Sequence, residues 1–349
     1  MQLYPFLFKP NFHVAVWGGN QLRPYKGLEP SEEPGGESWE VSAVPSSISV
    51  IANGTYAGED LISVIEKDPA KILGEAVNAK YEGQLPLLVK FIDAKEDLSI
   101  QVHPNDEMAM REHGKKGKSE MWYIIKADEG ARIYAGFKKQ ITPEEYRQRV
   151  ADGTIVEVLA DHLVKPGDVF YLPAGRVHSI GGGIMLAEVQ QTSDLTYRIF
   201  DYNRPGLDGK PRELHTELAA KALDYHVKAN YRTKYNEISN RAIQIMDTPY
   251  FDVRVIDLTK PMRRDMMKYD SFVISMCMQG DCKIHVRGTG DEIVVKEGNS
   301  TLIPASIADY DVIPMHGKAL ILEAYIDNWN KNLIHRVRRF IHSTRNVKA

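Results

Sequence analysis

Gln101 and His103 in Ser-Ile-Gln-Val-His-Pro, Glu120 in Lys-Ser-Glu-Met-Trp, and His178 in Leu-Pro-Ala-Gly-Arg-Val-His-Ser are the residues whose types suit metal chemistry. Gln101 and His103 stand two apart in a β-like run, so their side chains share a face. Glu120 and His178 each adjoin another apolar, strand-forming run. Two imidazoles, a carboxylate and an amide oxygen suit a borderline divalent ion such as Zn²⁺, and a catalytic ion also keeps an open position for water or substrate. The spacing is not the His-x-x-x-His of a helical zinc site. Any one of the four taken alone reads as an ordinary core or surface residue; the set, in this order, reads as one metal centre.

Three further polar residues fall where burial is expected. Lys90 and Ser99 interrupt the apolar stretch from Leu85 to His103, and a lysine there is expensive to bury unless it is paired or bound to an anion. Its alternative is a strand end from which the ammonium reaches water. Lys118 lies two residues before Glu120 and so approaches the same pocket if the strand extends back to it. The other lysines of the glycine-interrupted loop Arg111-Glu-His-Gly-Lys-Lys-Gly-Lys read as a solvated face.

The elements that must hold these residues are mostly strands. Residues 1–60 alternate short apolar runs with Gly, Pro and Ser, the mark of strands and turns. Helical spacing follows from Asp60 and from Pro69. Thr142-Pro-Glu-Glu opens a helix with an N-cap, proline at the first position and acids in the first turn, and strands resume at Leu163. After Arg198 come a loop, Asp201 to Arg212, and a helix near Glu213 to Asp224. Apolar residues at 333, 334, 337, 340 and 341 predict a C-terminal helix packed on the strands.

The chain repeats itself. Lys165-Pro-Gly-Asp-Val-Phe-Tyr-Leu-Pro-Ala matches Lys296-Glu-Gly-Asn-Ser-Thr-Leu-Ile-Pro-Ala, and upstream Met121 to Gly130 resembles Ser271 to Gly280. The duplication predicts two β-barrels of one type, an N-terminal catalytic domain over 1–240 and a C-terminal domain over 241–349. In the second copy Asp309 stands for His178 and Asp270 for Glu120, so the second domain is expected to be metal-free and structural.

At 349 residues, 43% hydrophobic and 26% charged, this is the composition of a soluble globular protein of about two domains. A net charge of −3 gives no global attraction to nucleic acid or to an anionic membrane, so any anion must be bound locally. Two cysteines, Cys277 and Cys282, read as reduced thiols. With no signal-peptide pattern and no long apolar run, the expected location is the cytoplasm.

The pieces Trp17-Gly-Gly, Gly36-Glu-Ser-Trp-Glu-Val-Ser, Gln101-Val-His-Pro, Lys118-Ser-Glu-Met-Trp-Tyr and Gln191-Thr-Ser-Asp-Leu-Thr-Tyr-Arg together resemble the type I mannose-6-phosphate isomerases of the cupin superfamily, in their short bacterial form. The resemblance is specific over residues 5 to about 205. It implies a mainly β fold of two cupin (jelly-roll) barrels with helical insertions and no large separate helical domain. It implies one Zn²⁺ per chain on Gln101, His103, Glu120 and His178, and interconversion of mannose 6-phosphate and fructose 6-phosphate through a cis-enediol. Arg198 falls on the catalytic arginine, Lys90, Ser99 and Lys118 match active-site polar positions, and Glu188 matches an acidic residue that could accept a proton.

Such a reaction needs a base, an acid and an electrophile. Glu188 or a water on the zinc is the base, and Arg198 or Lys118 stabilises the enediolate or shuttles protons. Lys90, Ser99, Lys118 and Arg198 supply donors for the phosphate. The rivals are another cupin-type sugar-phosphate isomerase, an iron dioxygenase and a non-catalytic sugar-binding cupin. The expected partner is a small phosphosugar, with neither nucleic acid nor membrane, and either a monomer or a homodimer fits.

Overall fold

The computed structural model describes residues 2–327; the helix expected near the C-terminus lies outside them. The chain is mainly β and its described residues divide into two compact units, one of residues 9–49 and 87–236, the other of residues 2–8, 50–86 and 237–327.

In the first unit, a seven-stranded antiparallel sheet faces one of five strands among the described residues. At the centre of the larger sheet lie Glu120–Ala127, Ile184–Gln191 and Leu87–Ala94. The smaller contains Arg132–Phe137, His178–Ile180, Ile100–Val102 and Tyr197–Phe200 in that order. Alternation along each strand sorts side chains to two faces. Trp122, Ile124 and Phe170 from one sheet and Ile133, Ala135 and Ile180 from the other form the core between them. On the outer face of the smaller sheet, Ile100, Val102, Val177, Tyr197 and Ile199 pack with residues of two helices, Pro143–Ala151 and Thr216–Ala222. The intervening residues Gln101, His178 and Arg198 are thereby turned inward.

The first of these helices has the predicted start: Thr142 Oγ1 accepts from the Glu145 amide, with proline in the first turn. The segment read as a basic loop is partly a helix, Asp106–His113, capped by Asn105 and ended by Gly114 in the left-handed region. Burying Met108 and Ala109 gives this short, polar segment its reason to coil.

In the second unit, a six-stranded sheet accompanies a four-stranded one among the described residues. Phe6–Leu7 pairs with Ser300–Ile303, and the helices Leu61–Lys67, Pro69–Leu73 and Glu75–Tyr81 belong here. Every sheet keeps free edges, so no closed barrel forms among the described residues. No described helix is long and apolar enough to cross a membrane.

The strand register corrects one detail of the repeat. Glu120 pairs with Leu172, and Val273 pairs with Ile303. Since Leu172 and Ile303 match in the repeat, Val273 stands where Glu120 does, not Asp270. Asp270 instead accepts the Glu75 and Ala76 amides at the start of a helix, and Asp309 is forked by Arg263 at 2.8 and 2.9 Å.

Candidate active site

Ladder register brings the inward residues together. Gln101 lies opposite His178 on one side and Arg198 on the other, and directly opposed residues share a face. His103 follows on the same face as Ser99 and Gln101. The larger sheet contributes Glu120, the first residue of its strand.

His103 Nε2 is 3.3 Å from Glu120 Oε2, and His178 Nε2 is 3.2 Å from Glu120 Oε1. All three residues are within 1% of full burial, and their ligand-type atoms lie within 4.8 Å of one another. Gln101 joins them, its side-chain amide nitrogen 3.3 Å from His178 Nε2. A half-turn of that amide presents its oxygen instead, an exchange that heavy-atom positions barely distinguish.

The histidines' other nitrogens fix the tautomers. His103 Nδ1 lies 2.8 Å from the Leu195 carbonyl, and His178 Nδ1 lies 2.8 Å from the Arg176 carbonyl. Carbonyls only accept, so each Nδ1 carries a proton and Nε2 is the ring atom turned towards Glu120. Burial pushes the His103 pKa down to about 3, with the Lys118 charge adding to the effect, so this ring is neutral. Burial alone would raise the Glu120 pKa, but the Lys118 ammonium, 3.0 Å from Oε2, holds it well below the usual carboxylate range.

Two imidazole nitrogens and an anionic carboxylate thus converge in a dry space. His103 Nε2 and both Glu120 oxygens find no aligned hydrogen-bond donor there. Buried acceptors facing acceptors are costly unless a cation joins them. Nitrogen and oxygen donors of this kind fit a borderline divalent ion, and hydrogen bonds from the far ring nitrogens are the usual support for metal-binding histidines.

Beside this cluster runs a row of polar side chains on the larger sheet. Glu188 is paired across strands with Lys90 on one side and Trp122 on the other. Trp122 Nε1 donates to Glu188 Oε2 at 2.8 Å and sets its ring edge against His178. Lys90 Nζ is 3.4 Å from Glu188 Oε1 and 3.3 Å from Glu37 Oε2, and it lies over the Trp39 ring. Burial pulls the Lys90 pKa down, but Glu37, Glu188 and Glu120 outweigh it and the net shift is upward. Burial and the Glu120 charge raise the Glu188 pKa against the pull of Lys90 and Lys118.

The anion expected to accompany a buried Lys90 is therefore supplied twice by the protein. Glu37 was not among the residues singled out, although Glu37 and Trp39 alternate across Ser38 in a strand, Gly35–Val41, that neighbours Leu87–Ala94. Lys118 and Ser99 are buried, at 5% and 3% exposure, and Lys118 meets the cluster directly. Arg198 is half-buried: its guanidinium donates from Nη1 to the Glu213 carbonyl at 3.0 Å, while its Nε is buried without an acceptor.

These features define a mainly β protein with a buried metal-type centre flanked by cations and a poised carboxyl group. A family profile described as phosphomannose isomerase type I, catalytic domain, matches residues 6–137. The mannose-6-phosphate isomerase of Streptococcus mutans is 33% identical over 319 residues, covering 89% of this chain and 98% of its own length. The mannose-6-phosphate isomerase ManA of Bacillus subtilis is 34% identical over 314 residues, covering 89% of this chain and 96% of its own. A crystal structure of the mannose 6-phosphate isomerase from Bacillus subtilis superposes with a TM-score of 0.82 at 31% identity, covering 92% of this chain and 99% of that one. The chain belongs to the mannose-6-phosphate isomerase family, and so to the aldose–ketose isomerases.

Proposed function

We propose that the chain interconverts D-mannose 6-phosphate and D-fructose 6-phosphate through a cis-enediol, with one Zn²⁺ held by Gln101, His103, Glu120 and His178. We also read each pair of sheets as a jelly-roll of the cupin type, the catalytic one lying within 1–240 and the metal-free one within 241–349 joined by residues 1–8 and 50–86. The observation that carries the functional reading is the convergence of His103 Nε2, His178 Nε2 and both Glu120 oxygens, with His103 Nε2 and the two carboxylate oxygens lacking aligned donors.

The reaction takes a proton from C2 of the aldose, returns one to C1 and leaves negative charge on oxygen in between. A divalent cation would supply Lewis-acid polarisation of the sugar oxygens. Glu188 takes and returns the proton: its raised pKa suits a carboxyl group that must do both near neutrality. Trp122 holds one of its oxygens in place, and Lys90 limits how far its pKa rises. Lys118 and Arg198 face the developing oxyanion. Together with Lys90 and Ser99 they also offer donors to the phosphate, whose remote binding energy orients the sugar.

The test is a coupled assay of fructose 6-phosphate formation from mannose 6-phosphate, with and without a chelator, alongside metal analysis of the isolated protein. Turnover should vanish on chelation and return with added Zn²⁺. His103→Ala and Glu120→Ala should lose both metal and activity while keeping native circular dichroism. Undiminished turnover by metal-stripped protein would refute the assignment of the centre, and no turnover of mannose 6-phosphate by the metal-loaded protein would refute the substrate.

A further inference from the structure

Resting on the reading that Arg198 works in the isomerase site, we infer that Asp201, through Arg204 and above all Arg212, is a positioning residue that sets the Arg198 guanidinium. On the side away from Gln101, Arg198 is held by three hydrogen bonds. Its backbone amide donates to His215 Nδ1 at 3.2 Å, its carbonyl accepts the His215 amide at 2.7 Å, and its Nη1 donates to the Glu213 carbonyl at 3.0 Å. All three contacts come from the returning arm of the loop that leaves the Tyr197–Phe200 strand at Asp201.

That arm is tied down one residue earlier. Arg212 grips Asp201 with two short bonds, Nε to Oδ2 and Nη2 to Oδ1, each 2.7 Å. Arg204 adds Nε and Nη2 to Oδ1 at 3.1 and 2.9 Å. Asp201 is only 5% exposed, and paired guanidinium–carboxylate bonds are geometrically exacting as well as strong. With Arg212 anchored, the Glu213 carbonyl has little freedom, and the Arg198 guanidinium inherits its position.

Two other features agree. Tyr202 and Asn203 are both held at positive φ, 55° and 54°, a conformation that persists where neighbouring bonds over-determine the backbone. Inside the loop, the Gly206 amide donates to the Lys210 carbonyl at 2.7 Å and Pro205 bridges Pro211, closing the two arms on each other. The Arg198 Nε, buried and unmatched within the protein, is the donor this frame leaves for a ligand. Three arginines gathered here would also repel one another, and Asp201 is the acid between two of them.

The test measures kcat and KM for Asp201→Asn and Arg212→Gln, alone and each combined with Arg198→Lys. Displacing the guanidinium by about an ångström should lower kcat/KM on the order of 10²-fold in the single variants. In the Arg198→Lys background the same changes should add no more than about twofold, the scatter expected of independent sites. Equal losses in both backgrounds would mark a merely structural role and overturn the inference, as would single variants of full activity. If Asp201→Asn does not fold, Arg212→Gln decides, because Arg204 still pairs with Asp201. An inactive wild-type protein would instead refute the functional reading, and an undiminished Arg198→Lys in an active protein would overturn the inference while leaving the isomerase reading intact.

Discussion

Replacing Lys90 by methionine isolates the part of the site that the metal does not dominate. The ammonium lies 3.4 Å from Glu188 and 3.3 Å from Glu37, and at an effective dielectric of about 20 each contact is worth roughly 5 kcal/mol of Coulomb attraction. Desolvation of the ammonium cancels much of that. Removing the cation while both acids stay leaves the cost of uncompensated buried charge, about 3–5 kcal/mol. Methionine keeps the stem packed on Trp39 but gives up the cation–π contact, adding about 0.5–2 kcal/mol.

The loss has a pH signature. Lys90 lowers the Glu188 pKa, so in the variant that already raised value rises further. A carboxyl group whose folded pKa exceeds its unfolded one, about 4.3, confers stability that is complete below the unfolded value and lost as pH rises through the folded one. The deficit of Lys90→Met should therefore shrink as the pH falls from about 7.5 to about 5. In the wild type Glu37 has a lowered pKa; its contribution is complete above the unfolded value and is lost only as pH falls through the folded one. Urea unfolding followed by tryptophan fluorescence reads this directly, since Trp17, Trp39 and Trp122 all belong to this unit. A deficit under about 1 kcal/mol, the ordinary scatter of substitutions, or one that does not change with pH, would refute the reasoning.

Two further substitutions probe the scaffold. Arg264 and Glu323 form a buried pair in the second unit at 2.6 Å, so Arg264→Met should cost about 3–5 kcal/mol in urea unfolding yet leave kcat unchanged. Gly136 has φ of 78°, and a Cβ there would lie 2.2 Å from the Tyr231 ring, whose hydroxyl donates to the Phe137 carbonyl. Gly136→Ala should therefore destabilise by about 1–3 kcal/mol, seen as a lower Tm.

The metal-type cluster was legible because strand alternation is a local rule: Ser99, Gln101 and His103 had to share a face. That His178 would stand opposite Gln101, and Arg198 beside it, depends on ladder register between distant segments, which resemblance suggested and local pattern did not. The same limit explains Glu37. The cost of burying Lys90 demanded a counterion, but choosing among the chain's acids required knowing that Gly35–Val41 and Ile184–Gln191 flank Leu87–Ala94. The repeat pointed to duplicated sheets, yet an alignment of apolar runs slipped by three residues at Glu120, where hydrophobic pattern alone carries no register. Asp106–His113 was hidden for a different reason: charged residues outnumber the two that it buries.

The pairing of Phe6–Leu7 with Ser300–Ile303 has a consequence for synthesis on the ribosome. The second unit's opening strand emerges long before its partner, and the exposed Phe6 must wait while nearly all of the chain is translated. Contacts this far apart in sequence slow folding and lengthen exposure to aggregation. Cutting the gene after residue 236 would remove the Ala305 and Phe272 amides that bond the Ile72 and Leu73 carbonyls, so the first unit is not separable by simple truncation. An autonomous version would need residues 1–8 removed as well, residues 50–86 excised and the chain rejoined from 49 to 87.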